Sequence, residues 1–378
     1  MSVWWNCGRK SIRWRSAVRR SRISDRSGRK REGPTQKKIE KKIRITMKSR
    51  IKPNKKPNEK PISERILGQT ESLTETSKAV LERHMVRKSR RQKAAFEAFL
   101  RERYPSLQVE EGGILKSRNL IVGDVETADI LFTAHYDTCA VMPIPNFITP
   151  KNIVFYLLYA VGLGAFLVIL LSLAAFLLSE GLSLPFLFRP LYTFGLIAVL
   201  LLMIAGPANR VTVNDNTSGV LLLCELMERC SPEEKKKAAF VFFDNEEPGL
   251  FGSSYFRKRH GQSVQGKLLI NFDCISDGDH LMLVMSRLAE RRYKQALERA
   301  FLPPPDGSKT IAFEQAGKTF YPSDQMGFAC GVGVGAFHQK PILGPCLGRI
   351  HTPRDRVLDA DNLSLLTDAC RRLMKSEE

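Results

Sequence analysis

The sequence predicts an α/β domain: a mixed, mostly parallel sheet with helices on both faces, interrupted once by an inserted transmembrane helical hairpin. Three observations predict it. Short apolar runs at 128–138 (ADILFTAHYDT), 237–247 (KAAFVFFDNEE) and 267–279 (KLLINFDCISDGD) each turn polar toward their C-terminal end. Buried strands of an open α/β sheet read this way where they deliver side chains to a site. Helical stretches alternate with these runs. Finally, two long apolar blocks, 152–179 and 186–206, stand between the first run and the second.

The chain begins with a basic tail. Residues 1–65 hold 23 Lys or Arg against 5 Asp or Glu, within a net charge of +20 for all 378 residues. The rest of the chain is therefore nearly neutral, and any pull toward nucleic acid or anionic lipid belongs to the tail. Its few aliphatic residues cannot offset the entropy of ordering, so it reads as disordered. A mis-called gene start, with Met47 as initiator, fits the same composition. The tail has no apolar core of a signal peptide, and no specific nucleic-acid partner is expected. The eight cysteines (7, 139, 224, 230, 274, 330, 346 and 370) form no CxxC pair or finger spacing. They read as free buried thiols of a reducing compartment.

Residues 66–150 form a helix and the first part of the α/β domain. The pattern from Leu73 to Arg103 is helical: Phe96, Phe99, Leu100 and Tyr104 share one face, and Pro105 stops it. Residues 151–206 form the hairpin. Its first block carries no charge over 28 residues, beyond the roughly 20 that a bilayer requires. Its second carries Arg189 and Pro190 near the start and is marginal without its flanks. Lys151 and Arg210 flank the open ends, and this bias places the ends and the α/β domain on the cytoplasmic side. Residues 207–378 complete the domain. Helices are expected at 218–230 (SGVLLLCELMERC), 253–260 (SSYFRKRH) and 291–301 (RRYKQALERAF). "SDGDH" reads as a turn pivoting on Gly278, and "GVGVG" (331–335) as a tight strand near the cleft rather than a nucleotide fingerprint.

The polar residues at the strand ends carry the chemistry. In order they are His135, Asp137, Asp215, Glu246, Glu247, Asp273 and His351, all outside the hairpin. Imidazole and carboxylate are zinc ligands, and a catalytic ion keeps a position open for water. Two ions about 3.5–4 Å apart need a bridging carboxylate. The set is large enough for that and leaves one carboxylate free. His84, His260, His280 and His338 lack partner spacing and read as surface or core residues.

The series "AHYDT", "NDNTSG", "DNEEPGLFGS", "INFDCIS", "YPSDQMGF" and "RIHTPRD" resembles the family-28 zinc metallopeptidases over residues 85–378, the hairpin excepted. The resemblance implies a zinc-exopeptidase-like fold, two zinc ions per chain and hydrolysis of N-terminal residues from peptides. It implies that His135 and Asp273 bind one zinc, Glu247 and His351 the other, and that Asp215 bridges both. The peptide bond after Asp215 is often cis in the family. Glu246 is then the general base, and Asp137 the carboxylate that hydrogen-bonds the His135 imidazole. Carboxypeptidase or glutaminyl-cyclase-like action is the alternative on the same fold. A non-catalytic membrane scaffold or binding protein is the alternative of another class, disfavoured by the complete ligand set.

Three departures stand out. Ile350 occupies the place where some secreted relatives carry a Tyr, with Tyr321 and Arg349 as weak substitutes. Gln325 stands where many relatives have His. The hairpin itself replaces a short loop. A hairpin leaves and returns on one face, so it reads as an anchor grafted at the rim of the site, holding the mouth near the bilayer.

Overall fold

The computed structural model describes residues 70–144 and 146–375, all within the unit Lys60–Glu378. The basic tail at 1–65, Met47 and Cys7 lie outside the described residues. The seven cysteines within them are buried and free.

In chain order the elements begin with α1 (Glu75–Arg83), α2 (Arg90–Arg103), β1 (Gln108–Gly112), β2 (Ser117–Val122) and β3 (Ile130–His135). The hairpin helices α3 (Ile153–Gly181) and α4 (Phe188–Ala205) follow, then α5 (Ser218–Arg229), α6 (Pro232–Lys236), β4 (Ala238–Phe243), α7 (Phe251–Val264) and β5 (Leu268–Phe272). The chain closes with β6 (His280–Met285), α8 (Arg287–Ala300), β7 (Thr310–Gln315), β8 (Gly331–Lys340), β9 (Gly344–Cys346) and α9 (Ala360–Lys375).

Every residue of β3, β4 and β5 is buried, because helices cover both faces of the sheet. Successive side chains point to opposite faces. Phe132, Phe240, Phe242 and Ile270 pack with Val220 and Leu223 of α5 and with residues of α8 and α9. Leu131, Val241, Phe243 and Leu269 pack instead with Phe256 and Val264 of α7. Apolar side chains are needed at every position, which gives the unbroken apolar runs of the sequence.

The strand order is β1-β2-β4-β3-β5-β8-β6-β7, with β9 on β8. The centre, β4-β3-β5-β8, is parallel. The flanking pairs β1–β2, β2–β4 and β6–β8 are antiparallel, and β6–β7 is parallel. Parallel register sets His135 level with Phe243 and Thr133 level with Asn271. The polar ends of three strands thus meet at one edge of the sheet.

The expected helix over 73–103 is broken into α1 and α2. Ser89 caps α2, and its capping box with Gln92 satisfies orphan backbone groups at a new helix start. The turn before it buries Arg87 completely. Apolar periodicity does not register a buried cation, so the break was not apparent in it. β8 is a central strand with glycine at alternate positions because neighbours press on it. A Cβ on Gly333 would lie 2.6 Å from the Gln325 side chain, and one on Gly335 2.6 Å from the Tyr321 hydroxyl. Gly278 has φ +149°, which suits the turn expected there.

The hairpin leaves and re-enters at paired backbone points. Val141 N–H donates to Pro207 at 2.8 Å and Asn209 N–H to Cys139 at 3.1 Å. Asn152 caps α3 through the Phe155 N–H. Pro190 sits in the first turn of α4, where a missing N–H costs no hydrogen bond. The two helices are long and apolar enough to cross a membrane. Their side chains face outward, with Val161 68%, Ile169 66% and Phe194 71% exposed.

Candidate metal centre

Five segments converge at the sheet edge. β3 ends in His135, the turn after β4 carries Glu246 and Glu247, and β5 is followed by Asp273. Asp215 stands in the turn that leads into α5, and His351 in the loop before α9. The structure brings all seven sequence-predicted site residues together.

Asp215 is the hinge of the arrangement. Its Oδ1 lies 3.4 Å from His135 Nε2, and its Oδ2 lies 3.0 Å from His351 Nε2. Asp273 Oδ1 is 3.6 Å from the same His135 nitrogen. Glu247 Oε2 is 3.3 Å from the same His351 nitrogen. Two donor groups therefore form, His135 with Asp273 and His351 with Glu247, each completed by one oxygen of Asp215. Glu246 Oε2 stands at 4.0 Å from His135 Nε2. The Asp215–Asn216 peptide is cis.

Backbone groups hold the donors in place. Asp355 accepts the N–H of Asn214 at 2.7 Å and of Asp215 at 3.0 Å. Asn214 Oδ1 accepts the N–H groups of Ser276 and Asp277, which ties the Asp215 turn to the segment after Asp273. Ser323 Oγ donates to Asp273 Oδ2, and the Tyr321 hydroxyl to the Asp273 carbonyl, both at 2.6 Å. Arg87 donates to the Tyr136 carbonyl and to Thr217 Oγ1, joining the His135 strand to the Asp215 turn.

The Asp137 carboxylate does something other than the resemblance implied. Nδ1 of His135 contacts the Asp137 backbone carbonyl at 3.1 Å, while the nearest carboxylate oxygen is at 3.7 Å. The carboxylate accepts the N–H of Glu246 at 3.0 Å and of Glu247 at 3.3 Å. Burial would raise Asp137, but the neighbouring His135 imidazole and the charge of Lys93 hold it below its ordinary value. Asp137 thus orients the Glu-Glu turn as well as the imidazole.

Among the described residues no Lys or Arg ion pair reaches Asp215, Glu246, Glu247 or Asp273. Burial pushes Glu246 well above the usual carboxylate range; His135 opposes this, and Asp324, Glu247 and Asp273 add to it. Burial likewise pushes Glu247 up to about 8, against the pull of His351. Burial would lower His351, yet Glu247 and Asp215 raise it to about 9. Burial would also raise Asp215, but its bonds to both imidazoles hold it below its ordinary value. Glu247 Oε1 is buried without a hydrogen-bond partner. Buried carboxylates gathered around two imidazoles, with an orphan oxygen among them, are a donor set that fits divalent cations.

Tyr321 and Arg349 are both engaged elsewhere. The Tyr321 hydroxyl is committed to Asp273, and Arg349 pairs with Asp277 at 3.0 Å, as His338 does at 2.8 Å. Ile350 is buried. Gln325 is taken up by the Tyr321 carbonyl and Asn271. His84 stacks on Phe99, and His260 pairs with Glu110, so neither joins the site. Asp355, Asn214 and Arg87 were not singled out from sequence. Asp355 stands four residues after His351 within "RIHTPRD", which is the one signal that could have found it.

Solved structures resemble the fold distantly. The Legionella pneumophila LapA aminopeptidase is 11% identical with a TM-score of 0.46, covering 88% of this chain and 78% of that one. Porphyromonas gingivalis glutaminyl cyclase is 14% identical with a TM-score of 0.47, covering 84% and 97%. BSAP, a zinc aminopeptidase from Bacillus subtilis, is 16% identical with a TM-score of 0.38, covering 68% and 49%, so the chain spans about half of that protein. No curated protein matches the chain. Residues 202–374 match the family model described as Peptidase family M28. That stretch, a little under half of the chain, contains Asp215, Glu246, Glu247, Asp273 and His351, so five of the seven candidate site residues lie in the part that is similar to this peptidase family.

Proposed function

We propose that the protein is a membrane-anchored dinuclear zinc aminopeptidase that removes N-terminal residues from peptides. The observation that carries this reading is Asp215, which presents one oxygen to each of two imidazoles. A carboxylate placed so is suited to bridge two ions. His135 and Asp273 would complete one site, and Glu247 and His351 the other. Bound zinc supplies a Lewis acid for the scissile carbonyl and brings the pKa of water toward neutrality.

The chain's own residues do the rest. Glu246, at 4.0 Å the most distant of the three carboxylates that face His135 Nε2, is the general base: it takes a proton from the attacking water and returns it to the leaving amine. Its burial raises its proton affinity, which suits that exchange. Asp137 fixes the turn from which Glu246 projects. Asp355 and Asn214 keep the Asp215 turn from shifting.

The anchor is the pair α3 and α4. A water-soluble protein rarely exposes so large a continuous apolar surface. Lys151 and Arg210 flank its open ends, which favours a cytoplasmic catalytic domain. Profiling aminoacyl reporter substrates on detergent-solubilised protein, with and without chelator, tests the activity. Hydrolysis that depends on a free N-terminus and stops with chelator is expected. Protease protection of sealed vesicles tests the side of the membrane.

A further inference from the structure

We infer that the hairpin is a wall of the substrate-binding cavity as well as a tether, and that it selects peptides with a large apolar N-terminal residue presented from the bilayer surface. This rests on the aminopeptidase reading above and deepens it.

Two cavities meet at the donor set. The smaller, about 260 Å³, touches Asp215, Glu246 and Asp273. The larger, about 850 Å³, shares Glu247 and His351 with it and extends away from the sheet. Its far side is built by the hairpin: Tyr156, Tyr159, Ala160 and Leu163 of α3, with Met203 and Ile204 of α4. The α3 residues recur at helical spacing and so share one face. The wall they make is apolar apart from two phenol groups.

The helix lengths fix where that wall lies. A Cβ on Gly195 would come 3.1 Å from Leu171, so these residues sit side by side across the hairpin. Counting outward from that contact, the end of α4 at Ala205 stands level with about residue 161 of α3, since both helices rise about 1.5 Å per residue. The stretch 153–160 therefore projects past α4 on the side of the catalytic domain. Tyr156 reaches that domain and packs against Phe320, with ring centroids 5.5 Å apart. Tyrosines one or two turns from the end of an apolar span mark the membrane–water interface. The cavity mouth is consequently at bilayer-surface depth, with the metal ligands on its inner side.

The charges favour apolar substrates further. The two lysines on the cavity are already engaged: Lys88 donates to the Ile204 carbonyl at 2.6 Å, and Lys93 pairs with Asp244 at 2.5 Å. No free cation is left among the described lining residues to receive an acidic side chain. An apolar terminal residue gains by leaving water for this wall, and a peptide partitioned into the interface arrives already beside it.

The test uses the full chain in detergent, with Leu, Phe and Ala aminoacyl reporters. Ala160→Trp fills the cavity from the hairpin side. It should lower kcat/KM for Leu and Phe by about tenfold or more relative to Ala, the scale of a lost apolar pocket contact, with zinc per chain unchanged. Leu163→Ala enlarges the cavity and should shift preference toward Phe over Leu. It decides the matter if the tryptophan variant loses zinc. Reporter ratios equal to wild type in zinc-loaded variants overturn the inference while the aminopeptidase reading stands. A wild-type protein that cleaves none of the reporters overturns that reading, and this subsite with it.

Discussion

Asp355 accepts the backbone N–H of Asp215 at 3.0 Å. The same carboxylate takes the neighbouring N–H of Asn214, and it stands only four residues after His351. One loop thus carries His351 and clamps the turn that carries Asp215. Asp355→Asn keeps the shape but turns its own N–H groups toward one of the two amides. Zinc affinity should fall by about 10- to 100-fold, the usual effect of removing a supporting partner. Competition with a chromogenic chelator measures this, and an unchanged affinity would show the clamp to be dispensable.

The parts of the site that were legible in sequence are those whose side chains do the work themselves. His135, Glu246, Glu247 and Asp273 follow apolar strands directly, so pattern and chemistry point to the same positions. Asp355 and Arg87 act through backbone groups of residues distant in sequence, at Asp215 and Tyr136. No spacing rule connects such partners. The strand directions were readable at the parallel centre, where burial on both faces leaves unbroken apolar runs. The short flanking pair β1–β2 carries mixed residues such as QVEEG and gave no such signal. The hairpin was visible at once, because an uncharged run of that length has few other uses.

Glu246 stands farther from His135 Nε2, at 4.0 Å, than Asp215 and Asp273 do, and as the proposed base its loss should separate chemistry from binding. Glu246→Gln should lower kcat by about a hundred- to ten-thousandfold, the range for a general base. Zinc content should stay at the wild-type value. Steady-state kinetics beside elemental analysis checks both, and unchanged turnover would remove Glu246 from the mechanism.

Gly278 holds a turn that an L side chain enters poorly. Its φ is +149°, and an added Cβ would lie 2.4 Å from the Phe337 backbone. Gly278→Ala should cost about 1–3 kcal/mol through strain and overpacking. For a domain of this size that lowers the melting midpoint by several degrees, roughly 2–4 °C per kcal/mol. Thermal unfolding in detergent measures it.

The paired backbone bonds at 139–141 and 207–209 close the base of the hairpin independently of its helices. Replacing 151–206 with a short Gly-Ser loop should therefore give a soluble protein that still binds zinc and cleaves small aminoacyl reporters. Preference for large apolar residues should shrink, because the far wall of the cavity is gone. Loss of zinc from that variant would mean that the hairpin is part of the metal site itself.

The most direct measurement is zinc per chain of purified, detergent-solubilised protein by elemental analysis, with aminoacyl-reporter hydrolysis followed as chelator removes the metal. Two zinc ions per chain, and hydrolysis that falls with their removal and returns on adding zinc, are expected from the donors gathered about Asp215. A protein with a single zinc, or one that hydrolyses the reporters equally well when metal-free, would contradict the dinuclear reading.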